Sequence, residues 1–184
     1  MSIIIVDNGS SYTKNLAQFL QVESPTIISY EDLDPHNIPK GTTVILTGGH
    51  QYPVLWHKKQ YGKEAALIKK HKGPVIGICL GFELIAHTYG SHLHLLNERR
   101  KGEVTLIPTG LGPLTIPASV AVYENHNWSV QKLKRPLRAL ARSEYGIEIL
   151  KHSRKPIYGM QFHPEMSSKN GAALLTAILD QVKG

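Results

Sequence analysis

Short apolar runs alternate with helical stretches through the first half of the chain, and this alternation constrains the fold more than any other feature. Residues 3–6, 26–28, 43–46 and 74–78 are runs with the length and β-branched content of buried strands. Between them, residues 12–21 place Leu16, Phe19 and Leu20 at helical spacing, and residues 60–70 do the same with Ala65, Leu67 and Ile68. Strands that alternate with helices predict a mostly parallel sheet covered on both faces. The second half changes character. Strand candidates at residues 104–107, 119–123, 137–141, 147–150 and 157–160 are punctuated by Gly and Pro, and a helix over residues 168–182 closes the chain. The expected architecture is one α/β domain spanning residues 1–184, a three-layer open and mostly parallel sheet with an antiparallel excursion in its second half. At 184 residues, 41% of them hydrophobic, the chain is long enough to bury one sizeable core.

No run of about 18 apolar residues is present, so no membrane span is expected. The start, Met1-Ser2-Ile3-Ile4-Ile5-Val6-Asp7, reads as a core strand and not as a signal peptide. A single cysteine excludes an internal disulfide, and with no targeting signal a cytoplasmic location is the default expectation. The formal net charge is +7, and the basic residues fall in small groups at 58–59, 69–72, 99–101, 132–138 and 151–155. Such groups suit an acidic partner or a solvated surface; no zinc-finger or RNA-binding pattern argues for nucleic acid.

Residues 74–81, Pro-Val-Ile-Gly-Ile-Cys-Leu-Gly, run from a strand into a predicted helix over 82–88, with Cys79 at the junction and a glycine two residues to either side. This is the cysteine analogue of the strained strand-to-helix turn that presents a nucleophile. The helix N-terminus is expected to lower the thiol pKa, and the Leu80 amide to face a developing oxyanion. A buried cysteine acting only as a small hydrophobe has the same local sequence, so a base must be found elsewhere. Gln161-Phe162-His163-Pro164-Glu165 supplies one. Pro164 keeps His163 out of the helical region, and in an extended segment His163 and Glu165 project to one side. Glu165 can then fix the imidazole tautomer while the other ring nitrogen faces the thiol.

These two motifs, in this order and at this separation, resemble those of the class I glutamine amidotransferases. In that family a G-[IV]-C-x-G elbow and a later H-P-E or H-x-E carry a Cys-His-Glu triad. Val6-Asp7-Asn8-Gly9 is similar to the opening of the glutaminase subunits of GMP synthases, and Thr47-Gly48-Gly49 resembles the family's oxyanion loop. The resemblance covers essentially the whole chain. It implies a flavodoxin-like fold, Cys79 as nucleophile, His163 as general base and acid, Glu165 as its orienter, and the Gly49 and Leu80 amides as the oxyanion hole. It implies no metal and no cofactor.

Three departures from the family pattern stand out. Glu83 occupies the place of a Gln that helps hold the amino-acid end of the substrate. A carboxylate there grips an ammonium more strongly and repels a substrate carboxylate. The competing reading puts Glu83 in solvent at the helix start. His50 replaces a Pro and reads as a loop residue. Residues 123–130, Tyr-Glu-Asn-His-Asn-Trp-Ser-Val, resemble the substrate-binding loop, with His126, Asn127 and Trp128 as candidate contacts; Trp128 is equally suited to a pocket wall or to the core. His92 and His94 lack a third ligand for a metal.

The chain carries no P-loop and no acceptor-activating domain. The resemblance therefore implies a glutaminase that supplies ammonia to a synthetase on a separate chain. GMP synthase is the expected partner, with anthranilate and aminodeoxychorismate synthases as alternatives and the basic groups at 99–101 and 132–138 as candidate contacts. A free-standing γ-glutamyl hydrolase, acting on a γ-glutamyl compound, and a catalytically silent binding protein on the same fold are the competing functions.

Overall fold

The computed structural model describes residues 2–50, 52–117 and 119–183. The chain runs β1 (Ile3–Asp7), α1 (Thr13–Phe19), a short 3-10 turn (Gln21–Glu23), β2 (Thr26–Ser29), β3 (Thr43–Leu46), α2 (Gly62–Lys70), β4 (Val75–Ile78) and α3 (Leu80–Thr88). It continues β5 (His94–Pro108), β6 (Val120–Ser129), β7 (Leu137–Ser143), β8 (Gly146–His152), β9 (Ile157–Met160) and α4 (Lys169–Lys183). Among the described residues these strands form one sheet in the order β2-β1-β3-β4-β9-β8-β7-β5-β6. The first five in that order are parallel to one another, and from β9 onward through β8, β7, β5 and β6 each pairing is antiparallel.

The alternation of side chains along the strands explains the layering. Ile3, Ile5, Ile45, Ile76 and Ile78 point to one face, where they pack with Leu16 and Leu20 in and just after α1 and with Leu174, Leu175, Ile178 and Leu179 of α4. Val6, Val44, Leu46 and Val75 point the other way, to Leu67 and Ile68 of α2 and to Leu80, Phe82, Leu84 and Ile85 of α3. Strands buried on both faces read as continuous apolar runs, which is why the periodicity of residues 43–46 and 75–78 is uninformative while their β-branched content is not.

The antiparallel portion is larger than the expected excursion. The candidates at 104–107 and 119–123 are fragments of two long strands, β5 and β6, which pair from Leu106 with Val120 to His94 with Ser129. Residues 123–129, expected as a substrate-binding loop, are therefore ladder residues of β6. The expectation failed because Glu124, Asn125, His126 and Asn127 are poor strand formers. Pairing with β5, and burial of Glu124, His126 and Trp128 on one face, override that preference. Among the described residues no helix is long and apolar enough to cross a membrane.

Candidate active site

Parallel α/β sheets leave a crevice beyond the carboxyl ends of their strands, and the loops after β1, β3, β4 and β9 converge there. Asp7 organises the first. Its Oδ1 accepts hydrogen bonds from the amides of Gly9 and Ser10, at 3.0 and 3.2 Å, and from the Thr13 hydroxyl at 2.7 Å. Asn8 ties this loop to the next, its amide donating to Thr47 Oγ1 at 2.9 Å and its Nδ2 to the Thr47 carbonyl at 3.1 Å. Residues 47–50 are thereby fixed against β1.

Cys79 caps α3 with φ 51° and ψ −104°. A non-glycine residue is rarely found there, and holding it costs on the order of 1–3 kcal/mol. The flanking glycines permit the turn, because a methyl group at Gly77 would strike the backbone of Gly81, and one at Gly81 would strike the Leu46 carbonyl. The Cys79 amide donates to the Met160 carbonyl at 2.8 Å, which extends the β4–β9 ladder to the elbow.

His163 follows β9. Its amide donates to the Tyr123 carbonyl at 2.8 Å, and its carbonyl accepts from the Ser167 hydroxyl at 2.6 Å, while that hydroxyl accepts from the Tyr123 amide at 2.8 Å. Its Nδ1 donates to Glu165 Oε1 at 2.8 Å, and both side chains are almost fully buried. The imidazole is packed at its edge by the Tyr12 ring, with centroids 4.8 Å apart. Gly48 marks where histidine and cysteine come together: a Cβ on it would lie 2.9 Å from His163 Cε1 and 3.4 Å from Cys79 Cβ. Gly49 lies against Leu80, whose Cδ2 would be 3.1 Å from a Cβ added at Gly49. The structure thus brings together Cys79, His163, Glu165, Gly49 and Leu80 from three separate stretches of the sequence.

Two connected hollows flank Cys79. One is lined by Ser10, Ser11, Tyr12 and His163, the other by Tyr52, Pro53, Glu83, His126, Asn127 and Trp128; Gly49, His50, Arg99 and Asn125 border both. Glu83 is 3% exposed, so the reading that put it in solvent is overturned. Gln161 Nε2 donates to its Oε1 at 3.3 Å, and burial pushes its pKa up to about 8. The acid is then largely neutral at pH 7, which removes the expected repulsion of a substrate carboxylate. Trp128 is both core and wall, 8% exposed and packed edge-on at 5.4 Å by the more exposed Trp56. His126 is 4% exposed with Nε2 3.6 Å from Glu124 Oε1. Among the described residues no group of three or more His, Cys, Asp or Glu side chains is placed to hold a metal ion, and His92 and His94 are both exposed.

The expected depression of the thiol pKa is not what the environment produces. Burial, reinforced by the Glu83 and Glu165 carboxyl groups, pushes the Cys79 thiol well up, and the Leu80 amide opposes this only in part. A helix terminus favours a thiolate that water also reaches; at Cys79 desolvation outweighs it. This favours the protonated thiol, so a nucleophilic role for Cys79 requires a base that takes its proton.

Sequence reasoning missed Tyr12, Tyr52, Arg99 and Asn125, and it took His50, which borders both hollows, for a loop residue without chemical duty. Asn125 alone had an available signal, because it adjoins the recognised His126. The basic group at 132–138 is at the other end of the sheet, since Leu137 pairs with His152 and β8 meets β9 by Lys151 with Tyr158, near the start of β9. Arg100, from the other group, is engaged with buried Glu124 at 3.2 Å.

A strained cysteine elbow and a carboxylate-bound histidine thus meet at the carboxyl edge of the parallel strands, an arrangement suited to acyl transfer. The chain matches the model for class-I glutamine amidotransferases over residues 4–181. It belongs to this family, whose members hydrolyse glutamine. The glutamine-hydrolyzing GMP synthase subunit of Pyrococcus furiosus is 33% identical over 183 residues, covering 94% of each chain. Anthranilate synthase component 2 of Lactococcus lactis is 27% identical, covering 98% of this chain and 94% of that one. A solved structure from Thermoplasma acidophilum, described as that of a GMP synthase subunit, superimposes with a TM-score of 0.82 at 24% identity, covering 97% and 92%.

Proposed function

We propose that Cys79 attacks the side-chain amide carbon of glutamine while His163 takes the thiol proton. The tetrahedral oxyanion is met by the Gly49 and Leu80 amides. His163 returns the proton to the leaving nitrogen, ammonia departs, and Cys79 is left as the γ-glutamyl thioester. Water, deprotonated by the same imidazole, cleaves the thioester and releases glutamate. Glu165 holds the imidazole and stabilises its cation in both halves. The single observation that carries this reading is the meeting at Gly48 of Cys79 with a His163 whose Nδ1 is held 2.8 Å from Glu165.

The ammonia passes to a synthetase on another chain, of the GMP synthase type. This is supported by the likeness, over nearly full length, to the glutamine-hydrolyzing GMP synthase subunit of Pyrococcus furiosus. The 27% identity to an anthranilate synthase component keeps that synthetase as the alternative partner. Exposure to a chloroketone analogue of glutamine should add its mass, less HCl, at Cys79 alone. Ammonia release from glutamine by the chain should accelerate when the synthetase is added. A chain that carries no label at Cys79 refutes the nucleophile; full activity that no synthetase changes favours a free-standing hydrolase.

Glu83, lining the hollow beside Cys79, stands as a neutral hydrogen-bonding group in the place of the family's Gln, and yields its proton when a substrate ammonium arrives. An acid whose folded pKa lies above its unfolded value binds more protons folded than unfolded. Its contribution to stability is therefore fully present below about pH 4.5 and is lost as pH rises to about 8. Glu83→Gln should remove this dependence. The variant's gain over the parent should grow from about pH 5 to about pH 8, to the order of a few kcal/mol, and then level off. Thermal melts of both proteins across that range measure it. A gap that does not change with pH would mean that Glu83 is ionised in the folded protein.

A further inference from the structure

Arg99 occupies a place that the proposed chemistry does not use. Leu95 of β5 pairs with Trp128 of β6 and Arg100 with His126, five steps along one strand against two along the other. The extra residues of β5 form a bulge, and bulges beside a site re-aim the side chains they carry. Arg99 closes this bulge and borders both hollows around Cys79. Its Nε donates to Asn125 Oδ1 at 2.9 Å. Asn125 is itself anchored: its Nδ2 donates to the Tyr12 hydroxyl at 3.0 Å, and its backbone oxygen lies 3.9 Å from Cys79 Sγ. The guanidinium is thus oriented from the strand that passes the sulfur. Neighbouring Arg100 is neutralised by Glu124, whereas among the described residues no carboxylate pairs with Arg99.

Resting on the glutaminase reading, we infer that the Arg99 guanidinium is the counter-ion of the substrate's α-carboxylate and a specificity-determining group of this site. A glutamine whose amide carbon is at Cys79 must place its α-amino and α-carboxylate groups in the adjoining hollow. That hollow carries Glu83 at its buried side and Arg99 at its exposed rim. With its Nε spent on Asn125, Arg99 keeps its two Nη groups for a carboxylate, in the forked geometry that favours this pairing. Glu83 faces the ammonium. The site therefore selects an α-amino acid head with both charges intact, and excludes amides lacking the carboxylate. Asn125 acts through Arg99 as a positioning residue.

The test compares two alkylating agents on the purified full chain: the chloroketone analogue of glutamine, which has an α-carboxylate, and iodoacetamide, which has none. For Arg99→Gln the second-order rate of Cys79 labelling by the chloroketone should fall by about tenfold to a hundredfold, while labelling by iodoacetamide stays within about twofold. Arg99→Lys should recover part of the loss. In turnover, KM for glutamine should rise far more than kcat falls, and the preference for glutamine over its α-methyl ester should collapse. Equal loss with both reagents would show that Arg99 acts on the thiol and overturn the assignment. No loss with either would place Arg99 in solvent and overturn it too. A parent chain that iodoacetamide labels but the chloroketone does not would instead remove the glutaminase reading itself.

Discussion

Cys79→Ala is expected to reduce ammonia release from glutamine by on the order of 10⁴-fold or more. No other thiol exists in the chain, and neither Ser10 nor Ser11, which line the neighbouring hollow, sits on the strained turn beside His163. The substitution removes one buried sulfur and leaves backbone contacts intact. It should cost about 1 kcal/mol of stability, a shift of roughly 2–4 °C in the melting temperature for a domain of this size. The large loss in rate and the small loss in stability together separate a nucleophile from a packing residue. Labelling of the parent at Sγ, ammonia assays and thermal melts of the purified variant provide the comparison. Wild-type turnover in the variant would sink the assignment, and collapse of the fold would make Cys79 a core residue first.

The nucleophile elbow and the His-x-Glu segment are legible in the sequence because each is local. Gly77, Cys79 and Gly81 must lie within one turn for the backbone to pass Leu46, and His163 and Glu165 must be two apart on an extended chain. The parallel half is legible because its strands are short, apolar and separated by helices. Arg99 and Tyr12 are not, because each reaches the site through pairings that no local pattern encodes. Arg99 depends on a bulge whose size is set by the register of β5 on β6, and Tyr12 on Asn125, 113 residues away. The state of the thiol is hidden for a related reason. A helix start is visible in sequence, but the burial that overrides it is a product of the tertiary packing, and the charge of Glu165, which adds to it, lies 86 residues further along the chain. The same holds for Glu83: its position four residues after Cys79 places it on the cysteine's side of α3, but only the packing around it makes it a neutral acid.

His163→Asn should lower turnover nearly as far as Cys79→Ala, and the reason lies in that raised thiol pKa. With Cys79 held as a neutral thiol, attack requires a base in contact with the site at the moment of reaction, and the same group must protonate the departing nitrogen. Asparagine can do neither. Glu165→Gln should be milder, by about 10²- to 10³-fold, because the carboxamide oxygen still accepts from Nδ1 but no longer stabilises the imidazolium. Combining Cys79→Ala with His163→Asn should be hardly worse than either change alone, since each already removes the whole covalent route. Single-turnover ammonia release for the parent, both single variants and the double variant measures this coupling. Losses that multiply would mean that the thiol and the imidazole act in separate steps, and a Glu165→Gln variant as inactive as His163→Asn would make the carboxylate an obligatory charge in the reaction.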